Sequence, residues 1–199
     1  MGNFRVIWRH EVRQAHQISR YLIETEKLKF GWRILVLPVF IFDYVRYRKS
    51  LRTIRKNLMF TKKLAFNAAK NIFQGKERAR EIRKVEIKTK ELLNNERKGF
   101  YTEKIRRKQL FEIESLINHY LDLLNTNSNS YQAMLRAKYP SKGNYLIFLN
   151  KIQKAEEEVI RAAITTMNRG TKKERRKWFE KVIATTKKVR MTEADAIYT

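Results

Sequence analysis

The chain has 199 residues with 45 Lys and Arg against 20 Asp and Glu, a formal charge of +25, and no cysteine. Thiol catalysis, disulfides and sulfur-ligated metals are therefore excluded, and so much like charge calls for a counterpart: phosphate polymer, anionic lipid or an acidic protein. A hydrophobic share of 43% is enough for a modest helical core packed as one domain.

The amino terminus lacks the apolar stretch and small-residue cleavage site of a secretory signal, and Val6 stands where myristoylation favours Ser or Thr. A cytoplasmic protein is expected. Periodicity is helical nearly throughout and gives no strand ladder, so the expected fold is all-α. It should be an elongated bundle of about six to seven amphipathic helices, one of them long, basic and preceded by a short apolar Pro-containing segment. A first helix over 3–29 carries Phe4, Trp8, Val12, Ala15, Ile18 and Leu22 as its apolar stripe.

The second helix begins near Pro38, a residue well suited to a first turn, and continues to about residue 73. Its seam is Phe40, Tyr44, Tyr47, Leu51, Ile54, Leu58, Ala65, Ala68 and Ile72, while Met59, Phe60 and Phe66 fall outside it and call for a second contact or deeper burial. Between Tyr44 and Lys76 there are ten Lys and Arg and no acidic residue. Gly75 ends this unit, and a charge-rich third helix over 77–97 follows with the thin stripe Ile82, Val85, Thr89 and Leu92.

A fourth helix over 101–124 uses Ile105, Leu110, Ile113, Ile117, Tyr120 and Leu124, and it runs into the polar stretch NTNSNS at 125–130. That stretch is the best internal boundary, dividing a basic region, 1–127, from a carboxyl-terminal helical region, 128–199. A short helix over 131–139 is closed by Pro140. Asn144 can cap a long helix to about residue 167. Thr171 and Glu174 form a capping box for the last helix, which carries Trp178, Val182 and Val189 inward. Ten basic and two acidic residues between Arg169 and Arg190 make a second basic patch.

Chemistry-bearing motifs are absent. Six scattered glycines build no phosphate loop. His10 and His16 lie about 240° apart round a helix, unlike a metal-binding pair, and His119 reads as a core-edge residue. Adjacent helical carboxylates diverge, so Glu156, Glu157 and Glu158 do not converge on one atom, and Glu156 reads as internal charge compensation towards Arg161 and Arg175 or the basic helices elsewhere. No cofactor, metal site or catalytic residue is expected, and the protein reads as non-enzymatic.

The run 34–42 is apolar without interruption but half the length of a membrane span. Aromatics and cations flank it, as in segments that anchor at headgroup depth. Trp32, Ile34, Leu35, Leu37, Phe40, Phe42, Tyr44 and Tyr47 are the candidates for insertion into a membrane or docking on a partner. Arg46, Arg48, Lys49, Arg52, Arg55, Lys56, Lys62 and Lys63, with Lys172, Lys173, Arg175, Arg176 and Lys177, are the candidates for holding an anionic surface.

The expected role is peripheral association with an anionic membrane, or with a membrane complex, at its cytoplasmic face. The alternatives are an RNA- or ribosome-binding protein, whose bases would stack on Tyr47, Phe60, Phe66, Phe100, Tyr101 and Trp178, and a structural subunit docking an acidic protein or a second copy. In the remaining alternative, 34–42 is simply bundle core.

The segments SYQAMLR at 130–136, YLIFL at 145–149, AEEEVIRAA at 155–163 and TEADAIY at 192–198 resemble a family of small basic helical proteins from anaerobic bacteria. The Pro38 region and FTKKLA at 60–65 are similar to that family's amino-terminal half. The resemblance implies an all-helical prokaryotic protein and carries no activity or site residues.

Overall fold

The structure, a computed structural model, describes residues 2–27, 37–95, 101–166 and 171–199; the side chains of 23–27, 37–51, 53, 54, 57, 163–166 and 175 fall outside that description. Among the described residues there are seven helices and no strand: α1 (Gly2–Lys27), α2 (Leu37–Phe73), α3 (Arg78–Asn95), α4 (Glu103–Leu124), α5 (Tyr131–Lys138), α6 (Lys142–Thr166) and α7 (Lys172–Tyr198). The all-α expectation holds, and each predicted helix lies within a few residues of an observed one. At 1.5 Å per residue, the 37 residues of α2 extend about 55 Å.

Local chemistry sets the ends. Gly75 adopts a positive φ of 89°, and the N–H groups of Gly75 and Lys76 return to the carbonyls of Ile72 and Asn71. This glycine-terminated turn would strain a residue with a Cβ. Thr102 and Ser130 cap α4 and α5, and Thr171 with Glu174 completes the capping box of α7. At α6 the cap is Ser141, whose hydroxyl accepts from the N–H of Asn144 at 3.2 Å. Asn144, the expected cap, instead sits inside the first turn and its side chain accepts from Ser141.

Five helices close a ring in the order α1, α2, α4, α6, α7 and back to α1, with α3 packed outside against α2 and α4 and α5 against α1, α4 and α7. Cross-helix contacts fix the directions. Asn71 of α2 meets Glu81 of α3, and Arg106 of α4 meets Thr89, so α3 runs antiparallel to both. It carries the chain back, so that α2 and α4 lie parallel, with Thr61 beside Gln109 and Phe66 edge-on to Tyr120. α1 and α6 run the opposite way to α2, α4 and α7.

The apolar interior divides into two clusters. The large one lies at the α5 end and gathers Ile7, Ala65, Phe66, Ile113, Leu116, Ile117, Tyr120, Leu135, Tyr145, Leu149 and Ile197 among others. Phe66 is thus core, which resolves its place outside the seam as deeper burial. His119 is also core, stacked on Phe148 at 4.1 Å and hydrogen-bonded to Tyr139 at 2.9 Å, rather than at the core edge. Burial holds its imidazole neutral, with the pKa lowered to about 3. The small cluster, at the other end, contains Ile18, Leu22, Val182 and Val189, with Leu58 and Ile160 packed against it.

α5 has only eight residues, too few for independent stability, and is held by its fully buried Met134 and Leu135. Leu135→Ala is therefore expected to lower the stability of the whole bundle by about 2–5 kcal/mol, read as a shift in the urea midpoint with unchanged slope.

Candidate anionic-surface interface

Between the two apolar clusters a layer of polar side chains crosses the ring, one contribution or more from each of the five helices. Lys62 of α2 donates to Glu11 of α1 at 2.5 Å and to Gln14 at 2.9 Å. Tyr120 of α4 donates to the other oxygen of Glu11 at 2.9 Å, and Gln14 donates to Glu193 of α7 at 2.8 Å. Glu193 also pairs with His10, whose ring stacks on Tyr131. On the far side of the ring Arg190 of α7 grips Glu156 of α6 with two hydrogen bonds of 2.8 and 2.6 Å. Glu112 of α4 is buried beside them.

Electrostatics in this layer follow from desolvation and pairing. Burial alone would raise the pKa of Glu11, but the Lys62 ammonium outweighs it and the carboxyl is lowered to about 2. Arg190 loses solvent too, yet Glu156 more than compensates and holds it above its ordinary value. Glu112 has no such compensation: burial, reinforced by the charge of Glu156 and only partly opposed by Arg190 and Lys62, pushes it up to about 8. At neutral pH it is protonated, so Lys62 and Arg190 are balanced by Glu11 and Glu156.

The reading of Lys62 as an anionic-surface residue is overturned here. Its side chain is 8% exposed and its charge is spent on Glu11. Lys63, one position and about 100° further round α2, stays exposed. Glu156 does compensate internal charge, with Arg190 as the observed partner.

Beyond the small cluster lies the end of the bundle made by the carboxyl-terminal turns of α1 and α6 and the amino-terminal parts of α2, α4 and α7. Arg52, Arg55 and Lys56 precede Leu58 on α2, and Lys172, Lys173, Arg176 and Lys177 precede Val182 on α7. Because α2 and α7 are parallel and both enter the small cluster, these two sets, more than 100 residues apart in sequence, lie at one end. All seven are exposed. Among the described residues Arg52, Arg55, Lys56, Lys172, Lys173 and Lys177 make no ion pair.

Among the described residues, the acidic ones at this end are already engaged. Glu158 pairs with Lys108 at 2.5 Å and Glu180 with Arg176 at 2.8 Å; Glu103 pairs with Arg106 at 2.9 Å, and Glu174 is used in the Thr171 cap. Trp178 is exposed here at 41%, and Tyr21, 47% exposed beneath Lys188, lies level with the small cluster. Trp178 is not inward, as its stripe predicts. Val182, one turn later, is the first buried residue of α7 among those described.

Trp32, Ile34 and Leu35 lie outside the described residues. Leu37, Phe40, Phe42, Tyr44, Arg46, Tyr47, Arg48 and Lys49 belong to the helical backbone of α2, and Arg175 to that of α7, with their side chains outside the description. Among the described residues no helix is long and apolar enough to cross a membrane, and no group of three His, Cys, Asp or Glu is placed to hold a metal ion. No protein-family model matches the chain, and comparison with curated proteins and with solved structures likewise gives no match.

Sequence reasoning missed Glu11, Glu112, Arg190 and Glu193. The available signal was a polar residue interrupting an apolar stripe, as Glu156 does four residues after Ile152 and four before Ile160.

Removing one partner of a buried pair strands the other, so Lys62→Met is expected to cost about 3–5 kcal/mol in urea denaturation, with most of it recovered in Glu11→Leu/Lys62→Met. The two titrating carboxyls act oppositely. Glu11, lowered to about 2 from 4.5, contributes stability above pH 4.5 that is lost as the pH falls towards 2. Glu112, raised to about 8, contributes below pH 4.5 and loses that contribution as the pH rises to 8. The urea midpoint of Glu112→Gln should therefore gain on wild type between about pH 5 and about pH 8.5; a constant difference would mean that Glu112 is ionised throughout.

Proposed function

We propose that this is a non-enzymatic protein that binds peripherally to an anionic membrane surface, from the cytoplasmic side, through the cationic end of its helical ring. The observation that carries the reading is the convergence of Arg52, Arg55 and Lys56 with Lys172, Lys173 and Lys177 at the end that also exposes Trp178. Among the described residues the acids at this end are engaged with other partners, which leaves these cations available to an external anion. α2 also begins with the apolar sequence LPVFIF, helical from Leu37. A nucleic acid has no use for such a run, whereas a headgroup layer accommodates apolar side chains next to cations.

Each cation close to an anionic bilayer contributes about 1 kcal/mol, so several give reversible binding that weakens with salt. Exchanging Arg52, Arg55 and Lys56 together for Glu removes three such contributions from exposed positions. Affinity for vesicles containing phosphatidylglycerol is expected to fall at least roughly 100-fold with helical content unchanged. The assay is flotation of nuclease-treated protein. Flotation that survives excess RNA supports the membrane; flotation lost to RNA moves the partner to nucleic acid.

A further inference from the structure

The first turns of α7 are built unlike the rest of the ring. From Thr171 to Trp178 every residue whose side chain is described is exposed. A polar segment exposed all round gains nothing from packing and needs local support. It has that support: the Thr171 and Glu174 capping box at its start and the Arg176–Glu180 pair one turn apart. Such a stretch is held in shape before it meets anything.

Its faces are unequal. Trp178 lies about 40° round the axis from Val182, so it prolongs the buried Val182 and Val189 stripe and yet stays 41% exposed. Lys172, Lys173, Arg176 and Lys177 occupy the flanks and the opposite side. A tryptophan on one face between long cations is the arrangement that settles at headgroup depth, ring inward and ammonium groups upward.

We infer that the first two turns of α7 are a second membrane anchor, in which Trp178 inserts into the headgroup layer of an anionic bilayer while Lys172, Lys173 and Lys177 contact lipid phosphate. This rests on the membrane reading of the cationic end and adds to it a site separate from the apolar start of α2. Lipid is favoured over RNA because the exposed ring continues a core apolar stripe and shares its end with the LPVFIF turn of α2.

The chain has three tryptophans, so Trp8→Phe/Trp32→Phe leaves Trp178 as the only reporter. The variant is mixed with saturating phosphatidylglycerol vesicles, with and without acyl-brominated lipid, and binding is checked by sedimentation. A shift of Trp178 emission to shorter wavelength together with bromine quenching is the expected result. In an otherwise wild-type chain, Trp178→Ala should weaken vesicle partitioning about tenfold, the effect of withdrawing one large aromatic from an apolar layer. That second variant decides the matter if the double substitution fails to fold. Binding with an unquenched Trp178 and unchanged partitioning in Trp178→Ala overturns the anchor and leaves α2 as the membrane element. No sedimentation of the wild-type chain with vesicles overturns both readings, and quenching by added RNA in place of lipid assigns the ring to base stacking.

Discussion

The buried pairing of Lys62 with Glu11 is the constraint on which the other features hang. Two charges withdrawn from water cost several kcal/mol each unless they meet partners of good geometry, and here Gln14 and Tyr120 complete the site. The same condition holds across the ring for Arg190 and Glu156. Every ring helix must therefore bring its polar residue to one level, because a slip of a turn would leave a charge among apolar side chains. Well-packed apolar residues in place of such a layer are often neutral or stabilising. What the layer contributes is register, and register decides which exposed residues share an end.

That division leaves the two ends of the molecule unequal. The α5 end has most of the large buried side chains, including Tyr120, Tyr145, Ile113, Ile117 and Leu123. Among the described residues the other end rests on Ile18, Leu22, Val182 and Val189 with partial help from Leu58 and Ile160. It is also where cations gather. Two of them about 10 Å apart in water repel by roughly 0.4 kcal/mol before screening, and several such pairs are comparable with the packing of one side chain. An anionic surface would remove that repulsion.

Much of the helical framework was legible in the sequence because helix limits are set locally. The Gly75 turn and the Thr171 and Glu174 box each act within a few residues of themselves. Partner-dependent facts were not legible. Lys62 sits in a run of cations and nothing within the run separates it from Lys63; only the arrival of Glu11, 51 positions earlier, draws it inside. Trp178 fails in the opposite sense. Its spacing to Val182 is that of a core residue, but its side chain is 41% exposed. Glu11 and Glu193 were hidden because a carboxylate on an apolar face reads as a defect until its counterion is in view.

Chain direction completes the argument. The external return of α3 makes α2 and α4 parallel, and α7 runs the same way, so three helix amino termini face the cationic end. Their backbone dipoles add partial positive charge there, about half an elementary charge per terminus, against the carboxyl ends of α1 and α6. Without the α3 return, α2 and α4 would be an ordinary antiparallel hairpin and their basic amino-terminal turns would point to opposite ends. Concentration of charge at one end thus comes from the polar layer that sets the level of each helix and the crossover that sets its direction. The net charge alone would be equally compatible with an even coat.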